Sequence, residues 1–65
     1  MNNLVDTLEN RGYRVNKIFD PVQTHSVNGI RHEDVDEFKK ELKLLGAKKL
    51  RVVNGAYCSI VCFKA

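Results

Sequence analysis

Two histidines, two cysteines and a run of cations are the residues of this chain best suited to chemistry. His25 and His32 flank a polar stretch, with Thr24, Ser26 and Glu33 beside them. Imidazoles titrate near neutral pH, so such a pair could supply the base and the acid of RNA cleavage. Cys58 and Cys62 stand in the run Cys-Ser-Ile-Val-Cys-Phe, which reads as a strand. At about 3.3 Å per residue their Cα atoms fall roughly 13 Å apart, whereas a disulfide tolerates at most about 7 Å, so they do not pair with each other. A zinc site would need further ligands nearby, and both histidines belong to a distant segment, so no metal is expected.

Lys39, Lys43, Lys48, Lys49 and Arg51 form the third group, which a turn at Gly46 would gather at one end of the molecule. Such a cluster could hold nucleic-acid phosphates without reading sequence, or serve only as a solvated basic margin. The aromatic platform usual for single strands is not expected. There is no Trp, and Tyr13, Phe19, Phe38, Tyr57 and Phe63 are each assigned to the core. No helix-turn-helix or RNP pattern, Gly-rich phosphate loop or nucleophile elbow occurs, and no cofactor is expected. The chain also lacks room for a walled pocket of the usual ligand volume.

The elements that must position these groups can be read from periodicity. Leu4, Val5 and Leu8 share a helical face, which predicts a helix over residues 3 to 11 with Asn2 or Asn3 as its cap. Gly12 should end it in the left-handed conformation, with Tyr13 packing back onto Leu8. A strand over Tyr13 to Phe19 stops at Asp20-Pro21, and Val22 to Arg31 reads as irregular, with at most a short edge strand over Thr24 to Val27. Val35, Phe38, Leu42 and Leu45 mark an amphipathic helix from His32 to Leu45, with its acids first and its bases last, as the helix dipole prefers. Gly46-Ala47 closes it as Gly12-Tyr13 closes the first.

Leu50 to Val53 and Ala56 to Phe63 flank Asn54-Gly55, which suits a two-residue type I′ hairpin turn. That turn would set Val53 opposite Ala56 and Val52 opposite Tyr57. One face then carries Leu50, Val52, Tyr57, Ser59, Val61 and Phe63; the other carries Lys49, Arg51, Val53, Ala56, Cys58, Ile60 and Cys62.

Leu4 to Tyr13 resembles the opening helix of HicA-type RNA-cleaving toxins, in which a helix ends at Gly followed by an aromatic residue. That resemblance would make His25 or His32 a catalytic candidate in a small RNA-cleaving enzyme. It stops there, because those toxins carry a Gly-Ser-His strand motif and a final helix, whereas Thr24 precedes His25 and a hairpin follows here. No family is assigned.

The last strand is apolar on both faces, which suits the middle of a sheet rather than an edge. The expected architecture is therefore a small single α+β domain over residues 1 to 65, ordered α-β-α-β-β. Its three-stranded antiparallel sheet has strand order 2-3-1, a split β-α-β, with two helices on one face. The 65 residues, 43% hydrophobic and 29% charged, lie near globular averages and argue against disorder. Eleven Lys and Arg against eight Asp and Glu leave a net charge of +3, which excludes an acidic DNA mimic and permits a polyanion partner. No apolar run approaches the length of a membrane helix, and the first residues lack the basic start of a secretion signal, so a cytoplasmic protein is expected.

The face with Val53, Ala56, Cys58, Ile60 and Cys62 would be left open, which suggests a protein interface or a homodimer. The leading expectation is a non-enzymatic adaptor or inhibitor, of a size common among accessory proteins of bacteria and their viruses. Nucleic-acid binding through the basic cluster is the alternative.

Overall fold

The computed structural model describes residues 3–65, and the capping roles expected of Asn2 and of the Asn3 side chain lie outside what it describes. Helix α1 (Asn3–Asn10) leads into strand β1 (Val15–Lys17) and β2 (His25–Ile30). A single 3-10 turn (His32–Asp34) opens α2 (Val35–Leu44), which is followed by β3 (Lys48–Asn54) and β4 (Ser59–Lys64). Both helices end as their glycines dictate. Gly12 has φ +93° and Gly46 φ +98°. Tyr13 N–H reaches Leu8 O at 3.1 Å while Gly12 N–H reaches Glu9 O at 3.0 Å, and Ala47 with Leu42 and Gly46 with Lys43 repeat this at 2.9 and 3.1 Å. The paired bonds satisfy carbonyls that a helix end otherwise leaves unpaired.

The sheet has four antiparallel strands in the order β1-β2-β4-β3, not three. The segment read as irregular, with at most a short edge strand over Thr24 to Val27, supplies the additional strand β2, and β2 sits inside the sheet, between β1 and β4, not at its edge. The last strand is central as expected, but the split β-α-β is formed by β2, α2 and β3, with β1 added outside. Two features hid β2. Its residues are mostly polar, and Asn28-Gly29 reads as a turn. In the fold Gly29, at φ +76°, lies where the β2–β4 register slips between Val27 and Ile30. Glycine there permits a bulge within a continuous strand.

The hairpin also differs from expectation. Asn54 pairs with Ser59 and Val53 with Ile60, leaving a four-residue loop, Gly55 to Cys58, closed by Gly55 N–H to Cys58 O at 2.9 Å. Neither Asn54 nor Gly55 has a positive φ, so the turn is not type I′. The slip moves each partner by four positions, an even number, and so keeps every paired residue on its expected face. Tyr57, expected on the core face of the hairpin, leaves it because it now lies in the loop and is fully exposed.

Four valines, Val15, Val27, Val61 and Val52, form one row across all four strands. The row meets Leu4 and Leu8 of α1 and Val35, Phe38 and Leu42 of α2 in one apolar cluster, with Phe63, Ile30 and Ala47. Both helices therefore cover the valine face. Among the described residues, no helix is long and apolar enough to cross a membrane.

Candidate functional site

Because both helices pack on the valine face, the other side of the sheet carries no helix among the described residues. Its central row is Asn16, Ser26, Cys62 and Arg51, one residue from each strand. Val53 and Ile60 form the next row toward the hairpin, and Lys48 and Lys64 the next row the other way. Cross-strand partners project from the same side of a sheet, so the face runs from an apolar strip to a basic end. Val53 is 41% exposed, Ile60 and Cys62 are half-buried, and Arg51, Lys48 and Lys64 are exposed. Ser26 is buried between its cross-strand partners Asn16 and Cys62.

The loop at the basic end is held rigidly by its own sequence. Asp20 Oδ1 accepts N–H bonds from Val22 at 2.8 Å and Gln23 at 3.1 Å. These two bonds, with a smaller contribution from the Arg51 guanidinium, hold its carboxyl below the usual carboxylate range. Ile18 N–H donates to Thr24 O at 3.0 Å, and Thr24 N–H to Phe63 O at 2.9 Å. The buried Gln23 then spans the end of β4 and donates from Nε2 to Lys49 O at 2.9 Å. Lys49 has φ +56°, in the left-handed region, where the β3–β4 register slips between Lys48 and Arg51. Gln23 thus ties the β1–β2 loop to a backbone kink in β3.

Of the residues expected on the open face, the structure brings together Val53, Ile60 and Cys62. Ala56 and Cys58 lie in the Gly55 to Cys58 loop instead, Ala56 exposed and Cys58 half-buried, and both thiols are free. Of the basic cluster, Lys48, Lys49 and Arg51 belong to β3, whereas Lys39 and Lys43 ride on α2, with the sheet between them and the Arg51 face. Their place at the basic end of the open face is taken by Lys64, paired with Lys48; Lys17 reaches the same end, but its register with His25 and Phe63 sets it on the valine side of the sheet. Sequence distance hid both lysines, and only strand order gathers them. Phe19, assigned to the core, is fully exposed on the loop at this end, and Val22 is largely exposed beside it.

The two histidines do not converge. His25 starts β2 and His32 follows its end, so a strand of about 3.3 Å per residue keeps them roughly 20 Å apart. His25 is engaged locally, with Nδ1 2.8 Å from Thr24 Oγ1 and its ring stacked on Phe63 at 5.8 Å between centroids. Beside His32, Glu33 pairs with Arg31 at 3.6 Å.

A half-open cleft of about 370 Å³ lies on the helix side, a volume that was not expected from so short a chain. It is lined by the apolar Tyr13, Ile30 and Phe38 and by Asp34, Glu37, Glu41 and Arg31, with Glu41 ion-paired to Arg11. Cations thus gather at one end of the sheet, and carboxylates line this cleft. Comparison of the chain with protein-family models, with curated proteins and with solved structures finds no match.

Proposed function

We propose that this chain is a non-catalytic binding protein that docks a protein partner on the open face of its sheet. One observation carries the reading: the Val53–Ile60 strip, bordered by Cys62 and Arg51, lies on a sheet face that neither helix covers. An apolar strip with a charged border resembles the core and rim of a protein interface, in which an arginine often contributes a large share of the binding energy. Occupying a partner's surface in this way is how a small adaptor or inhibitor acts.

The test compares wild type, Ile60→Lys, Arg51→Glu and Glu37→Lys as baits, with quantitative mass spectrometry of what each retains. A partner of this face is held by wild type and by the cleft variant Glu37→Lys, and lost by both face variants. Retention indifferent to Ile60→Lys and Arg51→Glu overturns the reading.

A second reading, nucleic-acid binding, draws on the exposed Phe19 at the same end as Lys17, Lys48, Lys49 and Lys64. A stacking ring beside cations is the usual platform for single strands. Titration with mixed oligonucleotides separates the two readings. Phosphate binding falls steeply between about 50 and 200 mM salt, whereas an interface built on the Val53–Ile60 strip responds weakly.

A further inference from the structure

Strand β3 forms one edge of the sheet, with β4 on one side and, among the described residues, no strand on the other. Its backbone polarity follows from the ladder. Phe63 gives its carbonyl to Thr24, on the β2 side, so the neighbouring positions of β4, Cys62 and Ile60, turn theirs toward β3. There they meet Arg51 and Val53. Val52 and Asn54 therefore direct their N–H and C=O groups outward, into solvent.

An open edge is usually blunted against pairing. Here the blunting devices, the kink at Lys49 and the Lys48 ammonium, lie at the start of the strand, and Arg51 to Asn54 continues as a regular ladder. The charge carried by the strand itself has one sign, with Asp20 of the β1–β2 loop as the carboxylate whose charge interacts with Arg51. Lys48, Lys49 and Arg51 are exposed, neither β3 nor β4 contains an acid, and Arg51 closes no ion pair among the described residues. A second copy is a poor fit to such an edge. Antiparallel self-pairing centred on Val52 would set the two Arg51 side chains on one diagonal of the same face, about 7–8 Å apart, with no carboxylate on either strand.

We propose that β3 accepts an extended acidic segment of the partner as a fifth strand, a reading that rests on the open-face interface above. Backbone bonds to Val52 and Asn54 supply affinity, and the side chains that alternate along the incoming strand supply selection. On the open face its residue opposite Arg51 is Asp or Glu, and its residue opposite Val53 is apolar, extending the Val53–Ile60 strip. The partner motif is thus an apolar residue two positions from an acid, continued by acids beside Lys48 and Lys49.

The test is an NMR titration with the heptapeptide Thr-Val-Val-Glu-Val-Glu-Glu, its analogue with Lys for each Glu, and an acidic version N-methylated at alternate amides. The acidic peptide should shift the amides of residues 50–54 and slow hydrogen exchange at Val52 and Asn54 at least tenfold. The lysine analogue should bind at least tenfold more weakly, the N-methylated peptide should lose the protection, and Arg51→Glu should reverse the charge preference. Equal binding of the acidic and lysine peptides overturns the proposal. So does concentration-dependent dimerisation through β3, or an oligonucleotide that shifts β3 as strongly as the acidic peptide. If the peptide leaves β3 untouched while Ile60→Lys still abolishes partner retention, the added strand is refuted and the open-face reading stands. If both results are negative, the open-face reading falls too.

Discussion

Ile60 and Val61 are neighbours on the central strand, yet they face opposite sides of the sheet, and substituting each with lysine tests the face assignment on which the interface depends. Complete burial of an isoleucine is worth about 1.5–3 kcal/mol. Ile60 is only half-buried, and the methylenes of a lysine recover part of the contact while its ammonium reaches water. Ile60→Lys should therefore cost about 1 kcal/mol, lowering Tm by roughly 4–8 °C in a domain of this size. Val61 has no exposed surface and lies in the valine row between Val27 and Val52. Val61→Lys loses the full transfer energy and must also desolvate or neutralise a charge, together about 5 kcal/mol or more. At about 0.05–0.15 kcal/mol per residue, the whole stability of 65 residues is roughly 3–10 kcal/mol. Thermal unfolding followed by far-UV circular dichroism should accordingly show a cooperative transition for Ile60→Lys, and a weakened or absent one for Val61→Lys. Equal losses for the two variants, or a larger loss for Ile60→Lys, would mean that Ile60 belongs to the core and would refute the assignment of the open face.

Phe38 is 3% exposed and packs against Tyr13 in a tilted pair, ring centroids 4.8 Å apart and planes at 46°, so Phe38→Ala should cost about 3–5 kcal/mol in urea unfolding; a loss below about 1 kcal/mol contradicts the packing. Gly46→Ala should cost about 1–2 kcal/mol from backbone conformation alone, because φ is +98° and a Cβ there would meet nothing within 4 Å. Gly55→Ala acts by collision instead, since the added Cβ would lie 2.8 Å from Cys58 O, and it should expose the Gly55 amide to hydrogen exchange. Asp20 has a folded pKa below its ordinary 3.8, so its ionised form stabilises the loop above that pH, and the contribution fades as pH falls through the lowered value. Asp20→Asn should flatten the acid limb of the stability curve, while Asp20→Ala should also free the Val22 and Gln23 amides; an unchanged acid limb in Asp20→Asn counts against the assignment.

Local physics made much of this molecule legible before folding was considered. The three- and four-residue spacing of Val35, Phe38 and Leu42, and the single conformation that suits Gly12 and Gly46, depend on neighbours in the chain. Both helices and both of their closures are therefore written in the sequence. The alternation of Ile60, Val61, Cys62 and Phe63 likewise assigned sides, and it survived an error in the hairpin loop because the register moved by an even number of residues. The apolar character of β4 on both faces placed it in the middle of the sheet.

What only the tertiary structure decided involves partners far away in the chain. His-Ser-Val-Asn-Gly-Ile has no alternation that marks a strand; it becomes one because β1 and β4 satisfy its backbone groups from either side and Gly29 absorbs the mismatch as a bulge. The basic end is a second case. Charge along the sequence pointed to Lys39 and Lys43, but the strand order sets Lys64 beside Lys48, while α2 carries Lys39 and Lys43 to the other side of the sheet. Helices and side-chain faces follow from bonds and periodicities a few residues long, which the sequence contains. Strand neighbours, loop lengths and charge clusters depend on which distant backbones meet, and that is settled only when the sheet and its core form together.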